Sequence, residues 1–175
     1  MVVLRATHKV LKSLPTSARD SDVSDTALGD WYVDRLVVDR QPLLLLVSSK
    51  SLLSILAPAR DVKTLPERLA GIVGDRLRRL DVSESVIASE VEATGAVGVG
   101  RTLDRSVTGQ LVDFAKSIPY YLPVEGWDAT TLRAAEERLA ETPCRSSRRF
   151  SEVIFPRDTA IRLLQSTWPA GTTRH

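Results

Sequence analysis

Apolar residues in this chain recur with two periods, every second residue in some stretches and every third or fourth in others. Val2–Ala6 and Trp31–Val38 read as strands, and the uninterrupted apolar runs 43–47 and 52–57 read the same way. Turn chemistry at 39–42 and 48–51 separates the last three into an antiparallel meander, although run 52–57 is short enough to be helical by period alone. Residues 8–14 suit one or two helical turns, ended by Pro15, and residues 15–30 are polar and without period, the pattern of a surface loop.

Helical spacing dominates the rest of the chain. Thr64, Pro66 and Glu67 predict a capped helix start, followed by one apolar face of Leu65, Leu69, Ile72, Val73, Leu77 and Leu80. Ser83 opens a shorter helix that Thr94 and Gly95 close, and residues 96–100 form a small, glycine-rich strand. Val107, Leu111, Phe114 and Ile118 mark a helix over 104–118, which Pro119 and Pro123 interrupt. Asp128 caps another helix, to residue 141, and a last one covers 158–168. The expected fold is a single α+β domain over 1–168, with 169–175 a flexible tail. Its sheet should be small and mainly antiparallel, covered mostly on one face by four or five helices.

Composition narrows the function classes. The 175 residues are 43% hydrophobic and 26% charged, the balance of a globular domain. Basic and acidic residues number 24 and 22, so any attraction for a polyanion has to be local. Only Lys9, Lys12, Lys50, Lys63 and Lys116 are lysines, and the other basic residues are arginines, which suit bidentate anion contacts. A single cysteine, Cys144, excludes an internal disulfide and a thiolate metal cluster. No apolar run approaches membrane-spanning length and the N-terminus lacks a signal-peptide core, so a cytoplasmic location is expected.

Catalytic chemistry finds little support. The histidines are His8 and His175 alone, which rules out a three-histidine zinc site and leaves any triad dependent on His8. Asp30 and Asp34 share a strand face but Asp39 does not, so they make a poor metal cluster. No cofactor and no metal site are implied. Residues 95–102, Gly-Ala-Val-Gly-Val-Gly-Arg-Thr, have the spacing of a phosphate-binding P-loop with arginine in the lysine position. Against that reading, guanidinium replaces ammonium poorly there, and the preceding residues read as helix where a P-loop needs a buried strand.

A broader anion site survives. Arg101, Thr102, Arg105 and Ser106 cluster where a strand hands over to a helix N-terminus, whose free amides and dipole favour an anion. The plainer alternative has Asp104 capping the helix and both arginines paired with Asp104 or Asp113. Arg145, Arg148 and Arg149, with Arg157 nearby and Phe150 and Phe155 interleaved, form a flanking basic patch.

Residues 101–114, Arg-Thr-Leu-Asp-Arg-Ser-Val-Thr-Gly-Gln-Leu-Val-Asp-Phe, resemble the signature of an uncharacterised bacterial family defined only as a domain of unknown function. Residues 28–32, Leu-Gly-Asp-Trp-Tyr, the opening strand and Glu141-Thr142-Pro143 share the resemblance, which departs at Leu103, Asp104, Gln110 and Val112. The resemblance brings no activity; it implies that Arg101, Thr102, Arg105, Ser106, Gly109 and Asp113 belong to one shared feature. The leading expectation is a non-catalytic module that binds a phosphate-bearing partner, nucleic acid first. The alternatives are a protein-interaction component paired with a neighbouring gene product, or a carboxylate- and metal-dependent nuclease or nucleotidyl-transfer enzyme.

Overall fold

Every residue of β1 (Val2–Ala6) is buried, because the strand lies inside a five-stranded sheet and both of its faces are covered. The structure, a computed structural model, describes residues 1–60, 62–145 and 152–170. After a single helical turn, α1 (His8–Leu11), and a long loop come β2 (Trp31–Val38), β3 (Gln41–Ser48) and β4 (Ser54–Pro58), the antiparallel meander expected from the pattern. Helices α2 (Leu65–Leu77) and α3 (Glu84–Ala93) lead to β5 (Val97–Arg101). Helix α4 (Arg105–Tyr121) and helix α5 (Ala129–Ala140) follow, then a two-residue hairpin, β6 (Cys144–Arg145) and β7 (Val153–Ile154), and α6 (Pro156–Thr167).

The sheet order is β4-β3-β2-β1-β5, with β1 parallel to both of its neighbours. The longest ladder, between β2 and β3, is antiparallel, and antiparallel pairing exceeds parallel pairing across the sheet, so the α+β class with a mostly antiparallel sheet holds. Helices lie on both faces, and one face carries most of them, as expected. Leu44 and Leu46 of β3 join the core under α1, α2, α3 and α6, while Leu43, Leu45 and Val47 join a second core under α4 and α5. An unbroken apolar run is the signature of a strand buried on both sides.

The polar loop before β2 is packed rather than loose, and Arg5 is the reason. Its guanidinium, 1% exposed, donates from Nε to Asp30 at 3.0 Å and from Nη2 to the Asp22 carbonyl at 3.0 Å. Ser24 accepts from Val3 N and donates to Asp30, and buried Glu90 of α3 accepts from Ala27 N, Leu28 N and Trp168 Nε1. The loop also closes a sheet edge: Ser17 N and Ala18 N both donate to the Val99 carbonyl of β5.

At the opposite edge a second buried arginine bonds the outermost strand. Arg76 of α2 donates from Nε to the Ser54 carbonyl of β4 at 3.1 Å and pairs with Glu136 at 3.1 Å and Glu137 at 3.0 Å on α5. Arg79 joins Glu136 at 3.2 Å, and Arg157 of α6 reaches Glu137 at 3.6 Å. Burial lowers the pKa of Arg76 and raises that of Glu136, and the attraction between them opposes both shifts.

Several helix ends differ from the sequence reading: Ser83 makes no side-chain cap bond, and α6 begins at Pro156 rather than at 158. Thr64 makes no cap; its hydroxyl accepts from Arg68 instead. Pro119 sits inside the last turns of α4 rather than ending it, at the cost of one backbone hydrogen bond.

Arg76→Ala is expected to cost about 3–5 kcal/mol, since it leaves buried Glu136 with Arg79 alone and takes the donor from the Ser54 carbonyl. Urea unfolding would measure this, and pairing Arg76→Met with Glu136→Leu should recover most of the loss.

Candidate functional site

The start of α4 is held to the sheet. Asp104 caps the helix by accepting from Ser106 N at 2.8 Å, and its own amide donates to the Tyr32 hydroxyl of β2 at 3.0 Å. This arrangement aims Arg105 and Ser106 outward at one end of a cleft of about 610 Å³. Arg105, Ser106, Gly109, Gln110 and Asp113 form one wall, and Thr142, Pro143, Cys144 and Arg145 form the other. Neither Arg105, Asp113 nor Arg145 makes an ion pair among the described residues.

A smaller cavity of about 100 Å³ adjoins this cleft and shares Ser106 and Arg145 with it. Ser49 and Lys50 supply its polar rim, and Leu52, Val107 and Ile154 its apolar lining. The β3–β4 turn that carries Ser49 and Lys50 is fastened from inside. The Ser48 hydroxyl donates to the Leu28 carbonyl and accepts from Ser51, and Ser49 N and Lys50 N donate to the Asp30 and Leu28 carbonyls. Gly29, at φ +77°, makes the close approach possible, because a Cβ there would lie 2.5 Å from the Ser49 hydroxyl. Leu52 takes a left-handed conformation, φ +62°, to turn the chain back into β4.

The structure separates the residues that the sequence grouped. Arg101 is not free: it holds Asp20 in a bidentate pair, with Nη2 2.6 Å and Nε 3.1 Å from Oδ2. The pair lowers the pKa of Asp20 and raises that of Arg101, mainly through the hydrogen bonds between them. Thr102 lies past the end of β5 and lines neither cavity. Arg105, Ser106 and Arg145 do come together; Arg148 and Arg149 lie outside the described residues, and Arg157 turns to Glu137. The Ser106 amide is already taken by Asp104, which uses one of the donors that the helix start offers.

The P-loop reading fails on backbone conformation. Residues 97–101 are strand β5, and its glycines face the packed loop: a Cβ on Gly98 would lie 3.0 Å from Ala18 Cβ, and one on Gly100 would lie 2.9 Å from Arg5 Nη1. Sequence reasoning missed Ser49, Lys50 and Gln110. The one available signal was a lysine set among serines between two apolar runs, which reads first as an ordinary turn. Among the described residues no three His, Cys, Asp or Glu side chains stand close enough to hold a metal ion. No helix among them is long and apolar enough to cross a membrane.

Residues 3–159 match the model of a domain of unknown function, DUF6933, and the chain belongs to that family. No curated protein matches it. Among solved structures, the catalytic core domain of BIV integrase superposes with a TM-score of 0.49 at 12% identity, over 79% of this chain and 97% of that one. A likeness of that size bears on neither mechanism nor ligand.

Two outcomes follow from this geometry. Gly100→Val should destabilise the protein by about 1–3 kcal/mol through overpacking against Arg5, seen as a lower urea midpoint. Cys144, 4% exposed and with its thiol pKa pushed up to about 11 by burial and then by Asp113, should resist alkylation at pH 8. Its labelling by iodoacetamide should become fast only in denaturant.

Proposed function

For this member of the DUF6933 family we propose a non-catalytic module that engages a phosphate-bearing partner, nucleic acid first among them, in the cleft beside α4. One observation carries the reading. Arg105, Arg145 and Lys50, brought from a helix, a hairpin and a β-turn, border two adjoining cavities that meet at Ser106 and Arg145. No carboxylate among the described residues forms an ion pair with any of the three, although Asp113 lines the same cleft farther along α4.

The chemistry suits phosphate. Two guanidinium groups offer forked donors, Lys50 offers a compact charge, and the Ser49 and Ser106 hydroxyls can complete the shell. The pull is short-ranged. With a net charge of +2, the protein as a whole attracts a polyanion weakly beyond a Debye length of about 8–10 Å, so affinity has to arise in the cleft itself.

Fluorescence anisotropy with a labelled single-stranded oligonucleotide, across a salt series, tests the proposal. The expected result is salt-weakened binding that Arg105→Ala with Arg145→Ala reduces by roughly tenfold or more, lowering the salt slope by about one to two units. Arg101→Ala should change little, because that guanidinium is held by Asp20. Absence of binding at low salt, or binding indifferent to the double substitution, would overturn the reading.

A further inference from the structure

Resting on the anion site just proposed, we infer that the cleft takes one nucleotide unit, its phosphate at the Arg105–Arg145 end and a base edge with adjacent N–H donors at Asp113. The groove carries opposite charges along its length. Arg105, Gly109 and Asp113 fall at i, i+4 and i+8 of α4 and line the same cleft. At 1.5 Å per residue, the backbone positions of Arg105 and Asp113 stand about 12 Å apart along the helix. That is about the reach of a nucleotide from its 5′-phosphate to the far edge of its base.

A phosphate chain laid along α4 would bring a second phosphate against Asp113, which makes no ion pair among the described residues. A ligand that is anionic at one end and hydrogen-donating at the other fits the same wall. A carboxylate accepts two parallel N–H bonds, and among the common bases guanine presents two adjacent donors on its Watson–Crick edge. Adenine, cytosine and uracil each set a donor beside an acceptor.

Gly109 keeps the middle of this wall clear, although Gly71 in α2 is equally unconstrained. Glycine is the poorest residue after proline for a helix interior, yet a Cβ at this position would meet nothing within 4 Å. The protein's own packing therefore does not call for it. Midway between the two polar ends, the bare backbone leaves clearance over α4 where the sugar would cross. A volume of about 610 Å³ lies in the usual range for a small-molecule site.

Isothermal titration with GMP, AMP, ribose 5-phosphate and inorganic phosphate tests the inference on the intact chain. GMP should bind roughly tenfold or more tighter than AMP. Asp113→Asn should erase that preference and leave inorganic phosphate binding in place. Gly109→Ala should raise the melting temperature by a few degrees while weakening GMP severalfold and sparing phosphate. Oligonucleotides opening with guanosine, with and without a 5′-phosphate, separate the sources: tighter binding of the phosphorylated strand than of GMP assigns the site to strand ends, and the reverse to the free nucleotide. Equal affinity for GMP and AMP, or a preference that survives Asp113→Asn, overturns the inference while an Arg105- and Arg145-dependent phosphate affinity leaves the anion site standing. Loss of all binding, phosphate included, overturns both.

Discussion

A guanidinium with no water around it organises this molecule. Arg76 rises from α2, bonds the outermost strand at the Ser54 carbonyl, and reaches Glu136 and Glu137 of α5 on the other side of the sheet. A sheet buried on both faces still has two open edges, and an edge strand with bare amides and carbonyls invites pairing with another chain. Arg76 occupies one carbonyl of that edge and ties the two helical layers together across it. Arginine suits the task because one planar head can serve several acceptors in different directions. Burial works against its charge, so the clasp holds only while its carboxylates are in place.

The other edge is closed by a segment whose sequence looks unstructured. Residues 15–30 hold few apolar side chains, yet the loop is pinned by Arg5 beneath it, by Ser24 and Asp30 within it, and by Glu90 from α3. The glycines of β5 follow from that packing: Ala18 and the Arg5 head occupy the space where side chains at 98 and 100 would lie. A motif that reads as a phosphate cradle in one dimension is a flat strand face in three.

These constraints deliver the cleft. With α5 clasped to α2 and the β3–β4 turn seated against Gly29, the start of α4 is fixed by the Tyr32 hydroxyl, and Ser49, Lys50, Arg105 and Arg145 meet at one place. The helix N-terminus contributes less than its dipole suggests, since the Asp104 carboxylate occupies the position an external anion would take. Side chains can be arranged with charge at one end and a bare carboxylate farther along, a pattern that terminal amides alone could not provide.

The elements themselves were legible in the linear pattern. The meander, the helix over α2, the Asp104 and Asp128 caps and the α+β class all follow from local periodicity and turn chemistry, which act between near neighbours. Arg105, Ser106 and Arg145 could be named as cations and hydroxyls near a helix start and a basic loop. Which arginine is free could not: Arg101 and Arg105 look equivalent in sequence, and only the fold brings Asp20 against the first and leaves the second facing a cleft. The parallel placement of β1, the second helical face and the entry of Lys50 depend equally on contacts between residues far apart in the chain. Local propensity reaches a few residues in each direction, whereas ion pairing and cavity lining are decided by distances in space that no periodicity encodes.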